Sequence, residues 1–172
     1  MRNNFDAEGA ALLRLRNNAQ VALFLAGRAV VADHFNYQLP HLDISVAYND
    51  FLDLLPPVSQ TREHGELTRS ERAQIFRGGV LALAGKCAAE PYCLEFGLDD
   101  GRSDAFARAF WLSGGLRIHS NNCMSRMILR ARELTQERYK KRILKIACTL
   151  LDQGQIDGIA FRQICELTPC VS

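Results

Sequence analysis

Apolar residues recur at helical spacing through the first part of the chain. The spacing predicts one long helix from about residue 6 to residue 33, which no proline interrupts. Its stripe consists of Ala11, Leu12, Leu15, Ala19, Ala22, Leu23, Ala26 and Val30. Phe24, Leu25 and Val31 widen the apolar surface beyond one stripe, so the helix needs partners on more than one face. Such a helix is either buried within its own chain or part of an oligomer. We expect self-association, as a homodimer, with Leu23, Leu25 and Val30 at the subunit interface.

The middle of the chain predicts two further helices. Residues 45–55 form a short amphipathic segment that Pro56 and Pro57 end. Thr68 and Glu71 have the spacing of a capping box, in which a hydroxyl and a carboxylate satisfy free backbone N–H groups reciprocally. The helix that follows is expected to continue to about Ala89 and to stop at Pro91.

A short strand is predicted after this proline. Residues 92–98 alternate between apolar and polar side chains, and Asp99, Asp100 and Gly101 are typical of a turn. Residues 103–112 are compatible with a helix or with the second strand of a hairpin. The fold class predicted for residues 1–172 is thus mainly α, a single helical domain with one short strand or hairpin near 92–98.

The helical period returns near the C-terminus. The apolar positions of this stretch are Tyr139, Ile143, Ile146, Ala147, Leu150 and Leu151. Gln153 and Gly154 are predicted to end that helix, and residues 157–167 to form a last short one. Residues 150–160 contain an apolar pair, a glycine turn and a second apolar run, a spacing typical of a helix-turn-helix. Plain helical hairpins share this pattern. Both alternatives stay open at this stage.

The positive charge is concentrated in one segment. Residues 115–145 hold nine Lys and Arg residues against two Glu residues, a net charge of +7, whereas the whole chain carries only +2. A local field of this kind attracts polyanions, nucleic acid first among them. Residues 116–172 are therefore interpreted as a basic C-terminal helical part. Its candidate phosphate-binding side chains are Arg126, Arg130, Arg132, Arg138, Lys140, Lys141, Arg142 and Lys145.

Two other interpretations of the basic segment compete with DNA binding. In the first, purely structural interpretation, the segment is a solvated helix face on a globular domain, because basic helices commonly have that role. In the second interpretation, the protein is a non-enzymatic adaptor or inhibitor whose basic face binds an acidic protein. Because both DNA binding and protein docking weaken with salt, salt dependence alone does not separate them.

Composition narrows the class of protein. With 48% hydrophobic and 23% charged residues, the chain has the composition of an ordinary soluble globular protein. The N-terminus lacks the features of a signal peptide, and the longest apolar region, residues 19–32, is too short to span a bilayer. We expect a cytoplasmic location and no membrane partner.

Metal, cofactor and catalytic signatures are weak. The six cysteines include no Cys-x-x-Cys pair and are expected to be thiols. His119 and Cys123 are four residues apart, but they supply two of the usual four ligands of structural zinc. Glycine-rich phosphate loops and the Gly-x-Ser-x-Gly motif are absent from the sequence. We expect no metal, no cofactor and no enzymatic activity.

Three segments and a basic run of the chain form a collinear set: Phe24-Leu-Ala-Gly-Arg-Ala-Val-Val-Ala-Asp33, Cys93-Leu-Glu-Phe96, Ile118-His-Ser-Asn-Asn-Cys-Met-Ser125 and residues 137–142. In this order they resemble the FlhD subunit of the flagellar master regulator FlhDC. The first segment is similar to the long first helix of that family, with its Leu-Ala-x-Arg core. Cys93-Leu-Glu-Phe96 resembles its short cysteine-containing strand. Ile118-His-Ser-Asn-Asn-Cys-Met-Ser125 resembles its C-terminal helix, and the run 137–142 its charged end. Residues 38–90 are longer than the family's corresponding region, and about thirty residues after Arg142 have no counterpart in it.

The resemblance implies a function in transcription regulation. An FlhD-like subunit is a helical, dimerising protein that joins a zinc-binding FlhC-like partner in a hetero-oligomer. That complex binds double-stranded promoter DNA and activates transcription, and relatives on conjugative elements activate transfer genes. Cys93 would lie where the family can form an inter-subunit disulfide. The function expected is a DNA-binding subunit of a transcription activator, and the adaptor is the alternative.

Overall fold

A computed structural model describes residues 3–37, 41–45, 68–92 and 120–170 of the chain. Side chains are described from residue 18 in the first helix and from residue 124 in the third. The predicted helix at 45–55, the predicted strand at 92–98, the segment 103–112 and Cys93 lie outside the described residues, apart from Ser45 in a turn and Tyr92 in a 3-10 turn. The described part is mainly α-helical, as the sequence predicts.

The first helix, α1 (Asn3–His34), is the centre of the fold. Every residue from 22 to 32 is buried, so the helix is covered on all sides. Its neighbours are α2 (Arg69–Ala89) on one side and α4 (Lys140–Gln153) on another. Leu23, Leu25 and Val30, expected at a subunit interface, are at most 9% exposed within a single chain. The same chain therefore already covers these side chains, which is the buried alternative for this helix, and a homodimer contact at them stays a prediction.

The helix α2 begins at the predicted capping box. The hydroxyl of Thr68 accepts a hydrogen bond from the backbone N–H of Glu71 at 3.2 Å, and the Glu71 carboxylate accepts from the N–H of Thr68 at 2.7 Å. Both bonds satisfy donors that a helix start leaves free. The helix ends in a 3-10 turn, Glu90–Tyr92, around the predicted stop at Pro91.

Small residues allow α1 and α2 to approach closely. A Cβ atom added at Gly27 would lie 2.4 Å from the Cβ of Ala88 and 2.8 Å from the carbonyl oxygen of Ala84. On the same helix pair, a Cβ at Gly85 would lie 2.7 Å from the ring of Phe24. Side chains at the two glycines would therefore push the helices apart, which explains why glycine occurs within buried helices despite its poor helix propensity.

The basic part of the chain forms two helices joined by a π-helical turn. The helix α3 (Ser120–Arg132) packs on α2, the π-helix spans Glu133–Arg138, and α4 follows after Tyr139. The backbone N–H of Tyr139 donates to the carbonyl of Leu134, five residues earlier, at 2.9 Å. Of the predicted apolar stripe on α4, only Leu151 lies outside the core, with 41% of its surface exposed.

A small sheet that was not predicted joins the C-terminal helical hairpin to residues 42–43. Gly154 ends α4 with a φ of 76°, and Asp157 caps α5 (Gly158–Leu167) by accepting from the N–H groups of its first turn. Between them, β2 (Gln155–Ile156) pairs antiparallel with β1 (Leu42–Asp43). The connection predicted as either a helix-turn-helix or a plain hairpin is therefore a turn that contributes a strand to a two-stranded sheet. The five α-helices of the described residues all contribute to one hydrophobic core.

Candidate nucleic-acid interface

The eight basic side chains proposed for phosphate contacts are not equivalent in the structure. Six of them are exposed, whereas Arg130 and Arg142 are half-buried. Three of the eight form polar contacts inside the protein, and these three are described first.

Arg132 is held by a carboxylate from α2. Its Nε and Nη2 atoms donate to the two carboxylate oxygens of Glu90 at 2.9 and 2.6 Å. The Gln136 side chain donates both to the carbonyl of Cys87 at 2.8 Å and to the Glu90 carboxylate at 3.2 Å. The hydrogen bond from Arg132 lowers the pKa of Glu90, and the same bond raises the pKa of Arg132. This guanidinium links α3 to the end of α2 and is partly neutralised.

Arg130 also has an acidic partner. It forms an ion pair with Glu133 on the next helical turn, and its Nη2 atom lies 3.5 Å from Nε2 of His34. An exposed pair of this kind contributes little to stability, but it offsets the positive charge that a phosphate would meet. Arg130 is thus a weaker candidate for phosphate binding than its charge alone indicates.

Arg142 connects α4 to the end of α5. Its Nε atom donates to the carbonyl oxygen of Thr168 at 2.7 Å, and its guanidinium lies 5.4 Å from the ring centroid of Tyr139. Both contacts draw the side chain towards the protein. The structure therefore supports a role of Arg142 in positioning the C-terminal segment.

The other basic side chains on and before α4 are exposed to solvent. Arg138, Lys140, Lys141 and Lys145 form what we call the exposed basic cluster. Within the described residues, no carboxylate lies within ion-pair distance of any of the four. Lys141 and Lys145 are one helical turn apart and lie opposite the buried stripe of α4. Arg126, on α3, is likewise exposed and unpaired in the described part of the chain.

Tyr139 fixes the orientation of this cluster relative to the core. The residue is 7% exposed and lies at the junction between the π-helix and α4. Its hydroxyl oxygen is 3.0 Å from Nδ1 of His34, and the two ring centroids are 5.6 Å apart. The guanidinium of Arg138 lies 5.4 Å from the Tyr139 ring centroid. In the sequence Tyr139 lies on an apolar stripe, and the one feature that indicates a polar contact is its hydroxyl group, which needs a hydrogen-bond partner when buried.

The His34 ring lies in a positive local field. Burial lowers its pKa below the usual value, and the charges of Arg130 and Arg138 lower it further, against smaller opposing effects of Asp33 and Glu133. A neutral ring that donates from Nδ1 to the tyrosine oxygen leaves Nε2 free to accept from Arg130. This arrangement satisfies both neighbours, whereas a protonated ring would place an N–H group against the guanidinium. His34 was not among the predicted site residues, because its partners are about a hundred positions away.

The described residues also bear on a metal site and on a membrane-spanning helix. Among the described residues, no group of three or more His, Cys, Asp or Glu side chains could hold a metal ion, and the side chains of His119 and Cys123 are not described. No helix in the described part of the chain is long and apolar enough to cross a membrane. No protein-family model matches the sequence, and no curated protein matches it significantly.

Proposed function

We propose that the protein is a DNA-binding subunit of a transcription activator and that the exposed basic cluster contacts the phosphate backbone. The observation that carries the proposal is the absence of carboxylate partners around Arg138, Lys140, Lys141 and Lys145 in the described residues. These four solvent-exposed cations lie within eight consecutive positions, so a polyanion can approach them without displacing an internal carboxylate. A DNA duplex presents phosphates at short, regular intervals, and contacts with them release condensed counterions.

The proposed contacts hold the protein on the DNA backbone and do not recognise bases. Lysine and arginine contacts to phosphates supply affinity and orientation but carry no sequence information directly. Promoter selectivity would then come from another surface or from a partner subunit. The resemblance to FlhD supports a zinc-binding FlhC-like partner, a hetero-oligomer and a role in activation, in the flagellar system or on a conjugative element. These finer features rest on the resemblance alone.

The DNA-binding proposal is tested by fluorescence anisotropy with random duplex DNA at several salt concentrations. Lys141→Gln combined with Lys145→Gln should weaken binding and reduce the slope of log affinity against log salt by about 1.8, because each lost phosphate contact removes roughly 0.9. The matched control is Arg69→Gln with Arg162→Gln, which removes two exposed charges from other helices. Circular dichroism should be unchanged in both variants. Equal slopes in the two double variants would refute the proposed contact.

The second candidate function is a protein-binding adaptor. It is favoured by large apolar side chains that the chain leaves in solvent, namely Leu129 at 64%, Ile159 at 70% and Leu167 at 84% exposure. Co-expression with an FlhC-like protein encoded by an adjacent gene, followed by size-exclusion chromatography and the same DNA assay, separates the candidates. An activator subunit should bind DNA more tightly as the complex, whereas an adaptor should bind its protein partner without DNA affinity.

A further inference from the structure

A solvent-open pocket lies between the end of α1, the first half of α2 and the side chain of Arg130. Its volume is about 350 Å³, and its described lining consists of residues 34–36, Ala73, Phe76, Arg77 and Arg130. Volumes of roughly 300–1,000 Å³ are typical of small-molecule sites. The pocket has room for a group larger than a bare phosphate or carboxylate.

Two guanidinium groups from different helices line this pocket. Arg77 is exposed, and in the described part of the chain it has no carboxylate within ion-pair distance. Its guanidinium lies 5.8 Å from the ring centroid of Phe35, another lining residue, so a hydrophobic wall helps to position the charge. Arg130 shares its charge with Glu133, and the pocket therefore carries a moderate positive charge.

The remaining walls are aromatic or small. Phe35 and Phe76 contribute aromatic side chains to the lining, Ala73 contributes a methyl group, and His34 contributes an imidazole. The centroids of the His34 and Phe35 rings are 5.0 Å apart at an interplanar angle of 51°. A flat ligand could form stacking or edge contacts with these rings, and the guanidinium groups could bind a negatively charged group on it.

We propose that this pocket binds a small aromatic anion, a planar ring that carries a phosphate monoester or a carboxylate. The guanidinium of Arg77 binds the anionic group, and Phe35 and Phe76 contact the ring. This inference goes beyond the proposed function and does not depend on it, because Arg77 lies outside the exposed basic cluster. Burial lowers the pKa of His34, and the charges of Arg130 and Arg138 lower it further, which is consistent with a positive local field beside the pocket.

Calorimetry with three probes tests the proposal directly. Phenyl phosphate should bind saturably and at least about tenfold more tightly than inorganic phosphate, which lacks the ring, or phenol, which lacks the charge. Arg77→Gln should reduce phenyl phosphate affinity at least about tenfold, and Ala73→Phe should do so by filling the pocket without changing its charge. Arg162→Gln, an exposed charge removed from α5, is the matched control and should bind as the wild type does.

A second measurement reports on the site itself. Because a bound anion stabilises the protonated imidazole, saturating phenyl phosphate should raise the pKa of His34, followed by NMR of its ring protons. No saturable binding of phenyl phosphate, equal affinity for inorganic phosphate, or unchanged affinity in both pocket variants would overturn the proposal. An unchanged His34 pKa at saturation would overturn it as well, since the ligand would then lie elsewhere.

Discussion

His34 and Tyr139 are 105 positions apart in the chain, yet Nδ1 of the histidine lies 3.0 Å from the hydroxyl oxygen of the tyrosine. The contact joins the C-terminal end of α1, the central helix, to the junction where the π-helix meets α4. Because Arg138 and Lys140 are the immediate neighbours of Tyr139, this bond helps to fix the direction in which the exposed basic cluster faces. Tyr139 thus adds a polar contact to the apolar stripe of α4, which already anchors this helix in the core.

Tyr139→Phe should lower the free energy of unfolding by about 1 kcal/mol, the usual value of one intramolecular hydrogen bond. The substitution keeps the ring and therefore the contacts with Arg138 and Arg142. Urea denaturation followed by circular dichroism measures the change. Tyr92→Phe is the matched control, because Tyr92 is 46% exposed and should tolerate loss of its hydroxyl group. Equal stability of the Tyr139→Phe variant and the wild type would exclude a stabilising role of the bond.

The stability should depend on pH through His34. Because the pKa of His34 is lowered in the folded protein from the ordinary value of 6.5, the unfolded state binds more protons between the two pKa values. This contribution to stability is fully present above about pH 6.5 and is lost as the pH falls through the folded pKa. Urea midpoints between about pH 5 and pH 7.5 measure the effect.

The control for the pH prediction uses the chain's other described histidine. His34→Asn should flatten the dependence of the urea midpoint on pH in this window, because the titrating group is gone. His41→Asn replaces an exposed histidine that lies 3.1 Å from the side-chain oxygen of Gln155 and far from Tyr139 in the chain, and this variant should keep the wild-type profile. A steep profile that persists in His34→Asn would assign the effect to other groups.

Gly27→Ala should destabilise the protein by roughly 1–3 kcal/mol through overpacking. The new methyl group would meet the Cβ of Ala88 and the backbone carbonyl of Ala84, and neither can rotate away. Gly158→Ala is the counterpart, since a Cβ there meets no atom within 4 Å and alanine favours a helix by up to about 1 kcal/mol over glycine. Thermal or urea unfolding should therefore move in opposite directions for the two variants. A stabilised Gly27→Ala protein would show that α1 and α2 can separate at no cost.

Arg142→Ala should affect folding more than DNA binding. Loss of the bond to the Thr168 carbonyl and of the contact with Tyr139 is expected to cost about 1–2 kcal/mol of stability, because hydrogen bonds to charged groups are stronger than neutral ones. Lys141→Ala, one position earlier and exposed, should leave stability nearly unchanged and flatten the salt slope of DNA binding by about 0.9. If Arg142→Ala flattened that slope as much as Lys141→Ala does, its side chain would have to leave the protein to reach a phosphate.

The sequence by itself determined the features that depend on neighbouring residues. The long first helix, the capping box of Thr68 and Glu71, the end of α4 at Gly154 and the last helix all follow from helical period and local backbone chemistry. The concentration of positive charge before and within α4 is likewise a property of the sequence alone. What the sequence did not indicate is which of those charges are already neutralised.

Tertiary structure alone decided the pairing of distant groups. The carboxylate of Glu90 reaches Arg132 across 42 positions, and Leu42 pairs with Ile156 in a two-residue ladder too short to have a period of its own. The same limit applies to Leu23, Leu25 and Val30. A helix that is apolar on all sides must be covered, but hydrophobic burial is non-directional, so the pattern does not distinguish cover by a second chain from cover by α2 and α4 of the same chain.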